Sequence, residues 1–397
     1  MIGSVFFAGW TLFCLIMPRF SDLYGRKIVY QISMFGILIT SLLLTFSSNL
    51  TQIVILTFIM GCFQVGRSAL AFLYQQELMP KKFKTISGTV NYVIYGLVPL
   101  WIVLYFLYIS NNWIYLHIFG VAVLILIAIG TLVMPESPQY YLSKRQYDKA
   151  RKELTYIARF NRIKNHQEIF ENSKFQQEID QQNSFQQISS NTCESTQILE
   201  EAQYNGSLRD IIKVRSNFIN LIAMTFLWTS TSFTYYLINF QLKYLSGDIF
   251  SNAIASALSE APAYIAQGYT YSRLGIKKSF YLYLGIAMIG SIGIFTFSNK
   301  EEMLDQNSIN QYVLPIMILL AKAGVSAAFN VCYFATSNIF PTIYSGTAMG
   351  ICNFFAKSLT MMSPIIAEIN DPIPTLVLIG MCILSIFVTF AINETNK

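Results

Sequence analysis

Three charged side chains stand deep inside apolar stretches of this sequence. Glu260, Lys322 and Lys357 each lie about eleven residues into their runs, roughly 16 Å at a helical rise of about 1.5 Å per residue, and so near the middle of a hydrocarbon core about 30 Å thick. A charge at that depth costs about 2.5–3.5 kcal/mol on insertion scales, so it faces a cavity or a partner. Two chemistries fit: a site for a charged solute or coupling ion, or a structural ion pair that locks helices together. Polar residues at spacings of three and four continue each charge along one helical face. Asn252, Ser256, Glu260 and Gln267 form one stripe; Lys322, Ser326, Asn330 and Ser337 a second; Gly350, Asn353, Lys357 and Thr360 a third. Trp228, Ser232, Tyr235 and Asn239 add an aromatic and polar face that fits either a binding wall or ordinary packing. Candidate solute-binding residues are therefore Lys357, Lys322, Glu260, Tyr235, Trp228, Asn330 and Asn353.

Catalysis does not fit. There is no Ser/His/Asp set, no pair of neighbouring carboxylates and no metal-ligand spacing. His117 and His166 are far apart, and Cys14, Cys62, Cys193, Cys332, Cys352 and Cys382 are scattered without a Cys-x-x-Cys pair. The sequence thus implies no disulfide framework, metal, cofactor or enzyme activity.

The elements that must carry these residues follow from composition. Of 397 residues, 54% are hydrophobic and only 12% charged, against about 25% charged in soluble domains. The surplus apolar surface faces lipid. Eleven runs are long enough to span: Met1–Met17, Ile28–Ser47, Leu50–Leu73, Thr85–Tyr108, Trp113–Met134, Phe218–Phe240, Phe250–Tyr269, Phe280–Ser298, Tyr312–Ile339, Gly346–Ile366 and Thr375–Ile392. Continuous apolar runs exclude a membrane β-barrel, whose strands alternate. Met1–Met17 lacks the basic leader and cleavage site of a signal peptide and is read as a retained span. The sequence predicts an all-α membrane protein of two helical bundles: residues 1–134 with five spans, a linker over 135–216, and residues 217–397 with six.

Basic residues set the expected orientation. Pro18–Lys27, Lys81–Lys84 and Tyr271–Ser279 carry three Lys/Arg each, while the alternate loops carry at most one. The basic loops are cytoplasmic by the positive-inside rule, which puts the N-terminus outside and the C-terminus inside. This placement, and not nucleic-acid binding, accounts for the net charge of +6. Tyr147–Phe160 reads as an amphipathic helix on the membrane surface, and Lys164–Asn205 as a disordered linker. The basic turns Ser21–Lys27 and Gly268–Lys278 are a weak internal repeat of the kind transporters show, with a substrate site between the halves.

Asp22-Leu23-Tyr24-Gly25-Arg26-Lys27 resembles the cytoplasmic loop motif of the major facilitator superfamily, with Pro18 where the motif has Gly and Leu23 where Arg is usual. Pro135-Glu136-Ser137-Pro138 with Tyr141-Leu142 resembles the block after that superfamily's sixth span, and Asn393-Glu394-Thr395 the block after its last. Trp228, Tyr235-Tyr236, Gly247, Asn252, Glu260-Ala261-Pro262-Ala263, Ala321-Lys322-Ala323-Gly324, Ala328-Phe329-Asn330 and Phe340-Pro341-Thr342 resemble the organic cation, organic anion and carnitine transporters. The resemblance covers nearly the whole chain. It implies the major facilitator fold and transport of a small organic solute across the lipid bilayer by alternating access. A charge seven residues before a proline, as Lys357 stands before Pro364, is basic in the anion transporters, so the resemblance favours an anion. A neutral solute such as a sugar, and a transporter-like sensor or inactive paralogue, are the alternatives.

The resemblance also assigns a cytoplasmic gate to Asp22, Gly25, Arg26, Glu77 and Lys84. Its second-half counterparts are altered to Asn338, Ser345 and Ser272, which leaves hydrogen bonds to substitute for charges. The family's first span is missing, because the sequence begins inside what resembles its second; truncation is the expected reason. Arg67, in the third span, is unpaired in the sequence, and where the family has an Arg near the outer end of that span this sequence has Thr57; Arg67 either lines the cavity or snorkels toward the inner headgroups.

Overall fold

The computed structural model describes residues 2–163, 175, 178–179, 214–241, 249–298, 310–369 and 372–393. Every regular element among them is helical. The first half comprises α1 (Ile2–Phe13), α2 (Ile16–Tyr24), α3 (Arg26–Thr45), α4 (Leu50–Val65), α5 (Ala71–Leu78), α6 (Lys84–Tyr108), α7 (Trp113–Val133), α8 (Pro138–Ser143) and α9 (Tyr147–Phe160). A π-helical turn, Gly66–Leu70, joins α4 to α5. The second half comprises α10 (Arg215–Gln241), α11 (Ile249–Ser298), α12 (Asn310–Ile339), α13 (Thr342–Thr360), α14 (Ser363–Ala367) and α15 (Ile373–Thr389).

Each of the eleven apolar runs falls on helix. Among the described residues, seven helices are individually long and apolar enough to cross a membrane, and α1 with α2, bent by 40°, makes an eighth. Two of the expected spans lie within α11, divided at Gly275, where φ is 80°. The last two fall on α13 with α14 and on α15. Large apolar side chains point outward along these helices, Leu126 at 71% exposed and Trp101 at 70% among them. Soluble monomers rarely present apolar surface on that scale; the chain is an integral, multi-pass membrane protein.

The first span is longer and more bent than the sequence indicated. Pro18–Lys27 was expected as a loop, yet α2 runs to Tyr24 and Gly25 alone makes the turn, with φ 113°. A side chain is strained in that left-handed region, and glycine is not. Helix persists because its polar residues are satisfied where they stand: Ser21 and Asp22 are buried and bonded to Arg26.

Close helix crossings hold each half together. Gly9 of α1 and Gly61 of α4 face each other so closely that a Cβ on Gly61 would lie 3.1 Å from the Trp10 nitrogen. Small residues let backbones meet where lipid provides no hydrophobic drive between helices. The halves meet along two seams, α6 on α11 and α1–α2 on α13.

The start of the Pro135–Ser216 segment folds onto the first half. Tyr156 donates to the carbonyl of Val133, the last residue of α7, at 2.8 Å, and Tyr74 donates to the carbonyl of Pro135. α9 has the bounds read from the sequence. Apart from positions 175, 178 and 179, Lys164–Asn205 lies outside the described residues, as do Gly247, Glu394, Thr395, Cys193, His166 and the side chains of Asn252 and Ser256.

Candidate solute-binding site and gate

The helix start at Arg26 is capped from a distant part of the chain. The Glu136 carboxylate accepts from the backbone nitrogens of Arg26 at 2.9 Å and Lys27 at 3.1 Å. Anions are stabilised at the first turn of a helix, whose leading N–H groups have no helical partner. Gly25 leaves room for this: a Cβ there would lie 3.0 Å from Glu136 Cδ. Tyr140 donates to the Leu23 carbonyl at 2.6 Å. Burial pushes its phenol up to about 12, so it remains a donor at neutral pH.

The capped turn aims the Arg26 side chain inward, where it is 1% exposed. Its Nη1 meets Asp22 Oδ1 at 2.5 Å, its Nε meets Glu77 at 3.2 Å, and its Nη2 donates to the Thr342 carbonyl at 2.7 Å. Asp22 Oδ2 in turn accepts from the Thr347 nitrogen at 2.7 Å and the Thr347 hydroxyl at 2.5 Å. Thr342 and Thr347 belong to α13, so one buried cluster bonds the two halves together at this end. Lys84 contributes its carbonyl, which accepts from Gln76 at 3.2 Å. The altered second-half positions make only neutral bonds: Asn338 to the Tyr271 hydroxyl at 2.8 Å, Ser345 to the Thr342 carbonyl at 3.2 Å and Ser272 to the Tyr269 carbonyl at 2.7 Å.

Cross-half bonds at one end weight the balance between open states and leave a distant site unaltered. Asp22→Asn removes the charge facing Arg26 and weakens its acceptor bonds to Thr347. The expected result is slower solute exchange with little change in equilibrium binding, measured on the same purified protein; unchanged exchange rates would count against a gate here.

At mid-depth the structure separates the three expected charges into two groups. Lys322 Nζ lies 3.0 Å from Glu260 Oε1, with both side chains buried. Tyr235 donates to Glu260 at 3.1 Å and Tyr264 at 3.3 Å, and Lys322 also donates to Asn239. Lys357 does not join them. Its Nζ lies over the rings of Trp10 at 4.4 Å, Tyr236 at 4.8 Å, Phe329 at 5.4 Å and Phe7 at 5.8 Å. Ser232 accepts from it at 3.2 Å. The box draws on α1, α10 and α12, so Lys357 points between the halves and not toward lipid. The expectation that Lys322 and Lys357 both reach Glu260 holds in geometry for Lys322 alone, because Tyr235, Tyr236 and Phe329 stand between.

The remaining candidates spread out. Asn330 donates to Gln267 at 2.9 Å, leaving its own Oδ1 and the Gln267 Nε2 buried without partners among the described residues. Asn353 donates to the Met349 carbonyl at 3.0 Å, and its Oδ1 is likewise unpartnered. Trp228 is fully buried in the second-half core, bonded to Thr336 at 2.8 Å and packed on Tyr333. The sequence reading missed the contribution of α1: Phe7 and Trp10 carried only the signal of aromatic residues seven and four positions before Cys14 on a helical face. It also missed Glu136 and Thr347 as gate partners.

Comparison with known proteins places this geometry. The sequence profile of the Major Facilitator Superfamily matches residues 1–364. The human organic cation/carnitine transporter 2 is 25% identical over 363 residues, 91% of this chain and 60% of that protein. Solute carrier family 22 member 15 of Xenopus tropicalis is 24% identical, covering 93% of this chain and 64% of that protein. The chain therefore spans less than two thirds of the length of each of these two relatives. Among solved structures, the proton:xylose symporter XylE superposes with a TM-score of 0.71 at 16% identity, over 98% of this chain and 85% of that one. The human organic anion transporter MFSD10 superposes with a TM-score of 0.61 at 13% identity, over 99% and 83%. At those identities the structures speak for the fold alone.

Proposed function

Because this chain belongs to the Major Facilitator Superfamily, we propose that it is a transporter that moves a small organic ion across the bilayer by alternating access, with an organic anion preferred. One observation carries the reading: Lys357 is 1% exposed, lies between the halves, and has no carboxylate in ion-pair range among the described residues. Glu260 and Lys322 neutralise each other, so the mid-depth charges of the second half sum to one positive charge. A cation entering this region meets like charge at low effective dielectric, where repulsion exceeds that in water. An anion meets its complement, and the rings around Lys357 offer faces for an apolar body.

Glu260 favours one second reading, a solute bearing both charges, and the relative named an organic cation/carnitine transporter is consistent with it. The Asp22–Arg26–Glu77 cluster is proposed as the cytoplasmic gate, with residues 1–134 and 217–397 as the two moving bundles and the C-terminus on the cytoplasmic side.

Uptake of a labelled aromatic carboxylate into proteoliposomes holding the full chain tests the function. Concentrative or counterflow uptake, competed by other carboxylates more strongly than by organic cations, is expected. Uptake competed by sugars alone, or specific binding without flux, sinks the organic-ion or the transport part respectively.

A further inference from the structure

We propose that Arg67 is the anion-binding residue of the first half, set on the π-helical turn between α4 and α5, where its guanidinium takes the paired oxygens of a carboxylate or phosphate. The proposal rests on the reading that the solute is an organic anion.

Arg67 lies on the π-helical turn Gly66–Leu70. One extra residue per turn re-aims the side chains that follow, and such turns recur at functional sites. Here the turn is pinned to α3. Gly66 packs on Ser33 so tightly that an added Cβ would lie 2.5 Å from the Ser33 Cβ. Val65, Gly66, Ala69 and Leu70 are buried, and Arg67 between them is exposed. It sits well inside the Leu50–Leu78 span. A charge held within a span requires water or a counter-ion. No described residue supplies an ion pair or hydrogen bond to the guanidinium; its electrostatic neighbours are the phenols of Tyr30 and Tyr95.

The facing wall is polar as well. Tyr95 on α6 is 52% exposed. One helical turn away Asn91 is also exposed; it donates to Gln75 at 3.0 Å, and Gln75 donates to the Ser87 hydroxyl at 2.7 Å. The α6 helix also adjoins the central ion pair: Gly96, next to Tyr95, packs against α11 so that an added Cβ would lie 3.3 Å from the Glu260 Cβ. Tyr95 interacts electrostatically with both Glu260 and Arg67. An anion on Arg67 therefore lies beside the seam between the halves, opposite the second-half residues. Guanidinium suits this task because its donors form a planar fork that grips two oxygens at once, whereas an ammonium offers a point charge. Lys322 is occupied by Glu260 and Lys357 is covered by rings; Arg67 is the described span cation that is both exposed and without an ion pair.

The test uses the purified full chain with two probes. Calorimetry measures benzoate affinity, and native mass spectrometry measures retained phosphatidylglycerol, for the unaltered protein, Arg67→Gln and Arg67→Lys. Arg67→Gln should weaken benzoate binding about tenfold or more, with Arg67→Lys recovering part of the loss and thermal midpoints unchanged. A loss of phosphatidylglycerol with benzoate binding intact assigns the anion to a lipid phosphate and supports the site. Unchanged binding of both probes in Arg67→Gln overturns it. Lys357→Ala in parallel keeps the two ideas apart. Weaker benzoate binding in that variant alone, with phosphatidylglycerol retained by Arg67→Gln, sinks the Arg67 site, and unchanged benzoate affinity in every variant sinks the organic-anion reading of the solute.

Discussion

Replacing Lys357 by methionine is expected to lower affinity for aromatic carboxylates by about ten- to hundredfold, the range set by one charge-assisted hydrogen bond. The same change should leave thermal stability intact or raise it. Lys357 is fully buried with one neutral hydrogen bond to Ser232 and four aromatic rings around it. Cation–π contacts return only about 0.5–2 kcal/mol each against the cost of taking an ammonium out of water. Methionine fills a similar volume, removes the desolvation penalty and packs well against aromatic faces. A lysine that costs stability where methionine would pack fits the trade-off between stability and activity at functional sites. Binding competition and thermal unfolding on one preparation decide the matter. Loss of stability with unaltered carboxylate competition would make Lys357 a packing residue and end the anion reading.

The Glu260–Lys322 pair should behave in the opposite way. Lys322→Met leaves the buried Glu260 carboxylate with tyrosine hydroxyls in place of a counter-charge, and is expected to destabilise the protein by about 3–5 kcal/mol. Combining it with Glu260→Gln removes both charges and should recover most of that loss, because the penalty lies in the stranded charge and not in the missing pair. Unfolding midpoints of the two single variants and the double variant complete the cycle. Additive losses would mean that the two side chains do not interact, contrary to their 3.0 Å separation.

How much of this was legible beforehand differs from element to element. The Glu260 and Lys322 stripes share depth and helical phase, and depth along a span is a local property of sequence, so their meeting could be anticipated. Lys357 shares the same depth, yet its surroundings could not be read in the same way. Its box joins Trp10 of α1, Tyr236 of α10 and Phe329 of α12, and only the packing of three separate helices fixes which rings converge. The loop motif was legible as residues, but Glu136, 110 positions from Arg26, caps the turn through backbone hydrogen bonds that no spacing encodes.

The sequence by itself determined the class of the molecule. Uninterrupted apolar runs of span length admit helices in lipid, since every backbone group there must be satisfied within its own segment. It also determined how deep each charge sits, and it placed glycine at 25 and 275, two turns between helices where φ is positive. The tertiary structure alone decided which charge is enclosed by rings and which is left open at Arg67. Those outcomes depend on the rotation and crossing of separate helices, which no local periodicity reports.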